Sequence, residues 1–170
     1  MLRFSPLFAL AGLCGLYAAP AHAAPPADDL VRADRATLDA LYAAGTASPP
    51  PAGFVPGRAI PDPGSRNTTR RSKLVGLFWK GKVFTDGRMI NRLAGGLEAV
   101  TARMYVGESF FDGQPAVILD YAGSKLFGDV RDEMREVAPG VFLGMTYVRK
   151  CPVPKATTYF VLDARQGCGR

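Results

Sequence analysis

From residue 73 onward, apolar and polar residues alternate with a period of two, which is typical of β-strands that bury one face. In residues 74–84 this alternation places Trp79 and its apolar neighbours on one face, and Lys80 and Lys82 on the other, outer face. Glycines inside such strands, among them Gly81, indicate a bulge, a tight bend or the close approach of another group. We expect barrel curvature to be the reason here.

Further strands are predicted along the rest of the chain. The clearest cover residues 98–111, 115–121, 141–149 and 156–163, and shorter candidates lie at 54–59 and 88–93. Asp112-Gly113 is a strong hairpin signal between two of them. Residues 126–137 allow either a helix or a strand. The turn that follows at Pro139-Gly140 favours the strand.

The N-terminal half differs in pattern. Residues 28–43 carry a helical stripe with an Asp at the start and Gly45 at the end, although Asp34 interrupts the apolar face. Residues 47–72 are rich in Pro and Gly and are predicted to form a linker or extended segment. We therefore expect a helical segment at 24–46 and a β-domain at 73–170.

Six to eight antiparallel strands, each with one apolar face, need a closed sheet to bury that face and remove the edges. The predicted fold class is mainly β, a small antiparallel up-and-down β-barrel with an N-terminal helix. A barrel of eight strands is either filled by its own side chains or holds one small ligand.

Residues 1–23 have the layout of a signal peptide. Arg3 precedes an apolar run, and Ala21-His22-Ala23 supplies a small-x-small cleavage pattern. A lipoprotein would use Cys14, but Leu13 before it is not small. The expected location is periplasmic or secreted.

Removal of residues 1–23 changes the chemistry that the chain can perform. It removes Arg3 and no acid, so 20 basic residues face 15 acidic ones and the net charge is +5. It also removes His22, the one histidine. Histidine-dependent triads, histidine-ligated zinc and proximal-histidine haem are thereby excluded. We expect no metal, no cofactor and no nucleic-acid partner, whereas the positive charge leaves a peripheral contact with a membrane open.

Two cysteines remain, Cys151 and Cys168. An even number of thiols in an oxidising compartment predicts a disulfide. A bridge across a loop of this size is worth roughly 3 kcal/mol.

Several side chains are candidates for lining the barrel interior. Tyr121 and Tyr147 share the apolar faces of their strands and, with Met104 and Met145, suit a hydrophobic ligand that has a polar end. Arg131 and Arg135 offer a grip on an anionic head group. The same aromatic and methionine residues are equally compatible with a filled core. The charged residues around Arg131 are equally compatible with a solvated face.

The stretch around Trp79 resembles the calycin superfamily, which includes lipocalins, fatty-acid-binding proteins and nitrobindin-like G-x-W-x-G barrels. Trp79-Lys80-Gly81 matches half of that signature, while Gly76 lies three residues before Trp79 instead of two. FFDGQPAVILDY and RDEMREVAPGVFLGMTY are similar to small bacterial members, so the likeness spans residues 73–149. It implies a barrel with an apolar interior site. From its place on the apolar face, Trp79 is expected either to plug one end of the barrel core or to contact a ligand there. The haem of nitrobindin-like barrels does not carry over, because its histidine is missing.

The expected function is that of a monomeric exported protein that binds a small hydrophobic or lipid-like ligand. One alternative is a histidine-free cyclase or isomerase, which needs at least two inward-facing carboxylates among Asp120, Asp132, Glu133 and Glu136. Another is a ligand-free structural envelope protein, which a solid barrel would favour.

Overall fold

The computed structural model describes residues 26–150 and 153–166. Its α-helices are α1 (Ala27–Arg32), α2 (Arg35–Ala44) and α3 (Thr68–Phe78). Its strands are β1 (Gly53–Ile60), β2 (Trp79–Thr85), β3 (Arg88–Leu93), β4 (Glu98–Glu108), β5 (Pro115–Asp120), β6 (Val130–Ala138), β7 (Val141–Val148) and β8 (Lys155–Asp163). Short 3-10 turns span Ala94–Gly96 and Ala164–Gln166.

The eight strands form one closed antiparallel barrel in sequence order. Each strand pairs with the next, and β1 closes the sheet by pairing with β8, from Gly57 opposite Leu162 to Ile60 opposite Tyr159. The predicted fold class, an up-and-down β-barrel with N-terminal helical structure, is confirmed. The Asp112-Gly113 turn joins β4 to β5, as the hairpin signal predicts.

The barrel begins earlier in the chain than residue 73. Strand β1 lies inside the Pro/Gly-rich segment 47–72, at the short candidate 54–59, and pairs with both β2 and β8. Pro56 is accommodated opposite Gly81, where the pairing between β1 and β2 ends.

Residues 68–78 are helical, not extended as the alternation from residue 73 predicts. Helix α3 starts from a turn that Thr68 fixes, because its hydroxyl donates to the carbonyl oxygens of Asp62 and Ser65. Thr68 and Ser72, one helical turn apart, are the buried residues of α3, while Leu77 is exposed. The apolar residues of this segment therefore do not mark its buried face.

The N-terminal helical segment is divided at Ala33-Asp34. Asp34 is the N-cap of α2, where its carboxylate accepts a hydrogen bond of 2.8 Å from the backbone N–H of Thr37. This accounts for an acid in the middle of an apolar stripe, since an N-cap side chain satisfies a free helix N–H.

Strand β6 settles the ambiguous segment in favour of the strand. It runs from Val130 to Ala138 after a series of turns between residues 122 and 129. Both faces of β6 are covered. Its inner face carries Met134 of the inner core, and its outer face packs against α2.

The barrel has two apolar cores, one on each side of the sheet. The inner core lies inside the barrel and contains Val55, Phe84, Met89, Leu119, Met134, Phe142 and Leu162. The outer core lies between the sheet and helices α1 and α2 and contains Leu30, Leu38, Tyr42, Ile118, Met145, Tyr147 and Val161.

The signal peptide predicted at residues 1–23 and the disulfide predicted between Cys151 and Cys168 lie outside the described residues. Within 26–150 and 153–166, no helix has the length and apolar character that crossing a membrane requires.

Candidate functional site

One end of the barrel contains a cavity of about 410 Å³. This end, called the mouth below, is where β2, β4, β6 and β8 begin and where α3 enters β2. The short turns after β2, β4 and β6 lie at the other end. The apolar part of the cavity wall comprises Ala59, Val75, Trp79, Leu93, Val100, Phe127, Val130 and Phe160.

A bulge in β2 places both Trp79 and Lys82 inside the barrel. The pairing with β3 shifts between Trp79 and Gly81, and Gly81 has a φ of +142°. A Cβ on Gly81 would lie 2.2 Å from the carbonyl oxygen of Val55, so only glycine fits. The extra residue reverses the alternation. The prediction that Lys82 lies on the outer face is therefore wrong.

Trp79 lies half-buried at the mouth and lines the cavity. Its ring packs edge-on against Phe160 and directly over Gly57, where a Cβ would lie 2.6 Å from the indole. The indole N–H donates a hydrogen bond of 3.0 Å to Oδ1 of Asn91. Trp79 is thus held in a fixed orientation with one face towards the cavity.

Lys82 and Asp132 form a buried ion pair at the floor of the cavity. Nζ of Lys82 lies 2.8 Å from Oδ2 of Asp132, and the two residues are 2% and 4% exposed. Burial by itself lowers the pKa of Lys82, but the charge of Asp132 and the hydrogen bonds to Asp132 and Tyr121 raise that pKa above its usual value. Lys82 is therefore a cation at neutral pH and not a free amine nucleophile.

Tyr121 and Asn91 complete the inner polar cluster, defined as Lys82, Asn91, Tyr121, Asp132 and Thr146. Lys82 donates to Asn91 Oδ1 at 3.1 Å and to the Tyr121 hydroxyl at 2.9 Å. The Tyr121 hydroxyl donates to Asp132 Oδ2 at 3.0 Å, and Thr146 donates to the other carboxylate oxygen at 2.7 Å.

All three protons of the Lys82 ammonium group are thus directed to protein acceptors, and the pair carries no net charge. Burial, followed by the charge of Asp132, raises the pKa of Tyr121 to about 12, so the phenol is neutral at physiological pH. The polar floor is neutral and largely satisfied.

The wall beside Asn91 is strained. Val100 has a φ of +59°, a conformation that is costly for a β-branched residue, at a register shift between β3 and β4. Such a conformation costs about 1–3 kcal/mol and persists only where its surroundings enforce it. Here the Val100 carbonyl accepts a hydrogen bond of 3.2 Å from Nδ2 of Asn91, which fixes the orientation of the amide.

The candidate ligand residues from the sequence are distributed between the two sides of the sheet. Trp79 and Tyr121 line the cavity, and Met104 packs against the inner core. Met145 and Tyr147 lie in the outer core beneath the helices.

The two candidate arginines also lie outside the barrel. Arg131 stacks on Phe110, and Nε of Arg131 lies 2.9 Å from Oε1 of Glu133. Arg135 is buried and binds Asp112 through two hydrogen bonds of 2.7 and 2.8 Å.

A second charged group, the outer polar cluster, comprises Tyr42, Ser109, Asp112, Glu133 and Arg135, all of which are buried except Asp112. Glu133 accepts hydrogen bonds from the Ser109 hydroxyl at 2.5 Å and from the Phe110 N–H at 3.0 Å. Arg135 donates to the carbonyl oxygens of Tyr42, Gln114 and Pro115 as well as to Asp112. This cluster fastens α2 and the β4–β5 hairpin to β6.

Sequence reasoning missed Lys82, Asn91, Thr146 and Phe160 as residues of the site. Asp132 was considered only as one of four charged candidates. Gly81 was the sequence feature that could have revealed Lys82. A bulge at this glycine moves the residues before it to the opposite side of the sheet, so that Trp79 and Lys82 lie on the same side.

Among the described residues, no group of three or more His, Cys, Asp or Glu side chains is arranged to hold a metal ion. The chain matches no family model and no curated protein. It is similar to the crystal structure of a protein from Thermomonospora curvata, with 20% identity and a TM-score of 0.49 over 78% of this chain and 88% of that chain.

Proposed function

We propose that this protein is an exported binding protein of calycin type whose barrel holds a small, uncharged, hydrophobic ligand. The observation that carries the proposal is the cavity of about 410 Å³ with apolar walls and a neutral polar floor. Cavities of about 300–1,000 Å³ with apolar walls and a few placed polar groups are typical of small-molecule sites. Export is supported by the pattern of residues 1–23.

The preference for an uncharged ligand follows from the Lys82–Asp132 pair. Asp132 already neutralises Lys82, and Arg131 and Arg135 do not reach the cavity. An ionised carboxylate would therefore bring an uncompensated negative charge next to Asp132, and burial of such a charge is costly. A hydroxyl or carbonyl group can instead exchange hydrogen bonds with Asp132 or Tyr121 without adding charge.

The alternatives gain less support. The enzyme needs two inward carboxylates, but of the four candidates only Asp132 faces the cavity. Asp120 pairs with Arg149, Glu133 lies in the outer polar cluster, and Glu136 accepts from the Gly140 N–H. A solid barrel would favour the ligand-free structural envelope protein, whereas the barrel of this protein contains a cavity.

The test is a displacement assay with N-phenyl-1-naphthylamine, an uncharged dye that fluoresces in apolar sites. We expect the dye to bind, and dodecanol to displace it at pH 8. Dodecanoate has the same chain length but carries a charge, so we expect it to bind at least about tenfold more weakly because of the desolvation cost.

Organic extraction of the purified protein, followed by mass spectrometry, provides a second measurement. We expect a neutral lipid-like compound. Failure of both dye and dodecanol to bind an extracted protein would refute a ligand-binding barrel, whereas stronger binding of dodecanoate would refute only the preference for a neutral ligand.

A further inference from the structure

The mouth of the barrel carries an exposed apolar ridge on α3. Leu74, Leu77 and Phe78 have the i, i+3, i+4 spacing that places side chains on one helix face. Their exposed fractions are 53%, 59% and 72%. The buried residues of α3, Thr68 and Ser72, lie on the opposite face, so the ridge points away from the barrel.

A second apolar projection flanks the same opening. In the loop between β5 and β6, Leu126 is 88% exposed, and its neighbour Phe127 lines the cavity. Val75 of α3 lines the cavity as well. The ridge of α3 and the tip of this loop therefore border one opening on two sides.

Cations surround these apolar side chains. No acid occurs between Asp62 and Asp86 in the sequence, and α3 carries Arg70, Arg71 and Lys73. Arg71 pairs with Asp62, but Arg70, Lys73 and Lys125 form no ion pair with any described residue. Exposed apolar side chains flanked by cations suit an anionic lipid surface, because the apolar groups can enter the headgroup boundary while the cations attract the lipid charge.

We propose that the mouth docks onto an anionic lipid bilayer through Arg70, Lys73, Leu74, Leu77, Phe78 and Leu126. The cations face the lipid phosphates, and the apolar side chains enter the boundary between headgroups and acyl chains. Docking of this kind places the opening of the cavity against the bilayer. It goes beyond the ligand proposal and does not depend on it, since an empty barrel presents the same surface.

The test is sedimentation of the full chain with lipid vesicles. We expect binding to vesicles that contain phosphatidylglycerol, weakened by salt, and little binding to phosphatidylcholine alone. The variant R70E/K73E should bind at least about 25-fold more weakly, because each of the two surface cations contributes about fivefold to affinity. The variant L77Q/F78Q, which removes the most exposed part of the ridge, should lose at least about tenfold.

The matched control is R88E/R103E, which reverses two exposed cations that face each other on β3 and β4, outside the proposed docking surface. It makes the same change in net charge as R70E/K73E, and we expect little change in its binding. Residues 1–25 are identical in all variants, so a difference in binding between two variants does not arise from them. Circular dichroism and melting curves confirm that each variant is folded.

Three results would overturn the proposal. One is equal binding by the parent and both mouth variants. Another is an equal loss of vesicle binding in R88E/R103E, which would show that net charge alone explains the weaker binding of R70E/K73E. The last is self-association through this face, seen as a dimer in analytical ultracentrifugation that L77Q/F78Q abolishes, with no vesicle binding by the parent.

Discussion

Strand β6 contributes charged residues to both sides of the barrel wall, and the two sides have different surroundings. Asp132 faces inward and joins Lys82 beside a cavity of about 410 Å³. Glu133 and Arg135 face outward, where α2 and the β4–β5 hairpin cover them. The two polar clusters are similarly buried and similarly well supplied with hydrogen bonds.

The difference lies in the space next to each cluster. In the outer polar cluster, backbone groups of neighbouring elements take up the hydrogen bonds, so the charges join parts of the fold together. In the inner polar cluster, side chains satisfy one another and leave an apolar volume above them. Buried charge therefore does not by itself indicate a binding site. A cavity beside the charge is the additional feature that favours one.

The largest expected effect comes from removing one partner of the inner ion pair. Asp132→Ala leaves the ammonium group of Lys82 buried without its counter-charge, which we expect to lower the free energy of unfolding by about 3–5 kcal/mol. Urea denaturation followed by circular dichroism measures this change. The double variant K82M/D132L removes both charges and should recover most of the loss. A loss below about 1 kcal/mol in D132A would mean that Lys82 reaches water.

The pH dependence of stability should distinguish Tyr121 from a tyrosine with an ordinary pKa. Its folded pKa of about 12 lies above the usual value of about 10, so the unfolded chain loses this proton first. The stabilisation is fully present below pH 10 and disappears as pH rises to about 12, at about 1.4 kcal/mol per pH unit and roughly 2–3 kcal/mol in all.

Urea midpoints of the parent and Tyr121→Phe between pH 9 and 12 measure this contribution. The parent should lose more stability than Y121F over that range, whereas both should be flat between pH 7 and 9. Tyr42→Phe is the counterpart in the outer polar cluster, because burial also raises the pKa of Tyr42. Parallel curves for the parent and Y121F would contradict a buried phenol at the cavity floor.

Arg135→Met tests the outer polar cluster. The change leaves the carbonyl oxygens of Tyr42, Gln114 and Pro115 without their donor, while Asp112 is partly exposed and can be hydrated. We expect a loss of about 2 kcal/mol in the free energy of unfolding. The affinity for N-phenyl-1-naphthylamine should stay unchanged in the folded variant. A fall in dye affinity comparable to that of an inner variant would remove the distinction between the two clusters.

The residue pattern predicted the fold class because successive side chains of an unbroken strand face opposite sides of the sheet, and every strand supplies apolar residues to the inner core. Val117 and Leu119 on β5, and Tyr121 directly after it, share one face, as predicted, and all three lie in the inner core. The same rule failed on β2, since the bulge at Gly81 inserts one residue and exchanges the two faces. A glycine in a strand is compatible with a bulge, a bend or a close approach, so the local sequence does not decide among them.

The interpretation of the charged residues of β6 as a solvated face failed for a different reason. These residues resemble a solvated face, and the burial of Glu133 and Arg135 on the outer side depends on the β4–β5 hairpin and α2, which lie elsewhere in the sequence. Residue type and spacing show neither which helix covers a strand nor how much space remains inside a barrel. The cavity and its neutral floor therefore could not be predicted from the sequence alone.

The smallest expected change in stability, and the most direct test of the cavity, comes from two neighbouring threonines on β8. Thr158 lines the cavity, whereas Thr157 is exposed and its hydroxyl donates a hydrogen bond to the Thr146 carbonyl. Thr158→Phe should fill the cavity and lower the affinity for N-phenyl-1-naphthylamine by at least about tenfold, with stability changed by about 1 kcal/mol. Thr157→Phe adds the same ring outside and should bind the dye like the parent. Equal dye affinities for T158F and T157F would show that the dye binds elsewhere. The two sides of the barrel wall would then differ in structure but not in ligand binding.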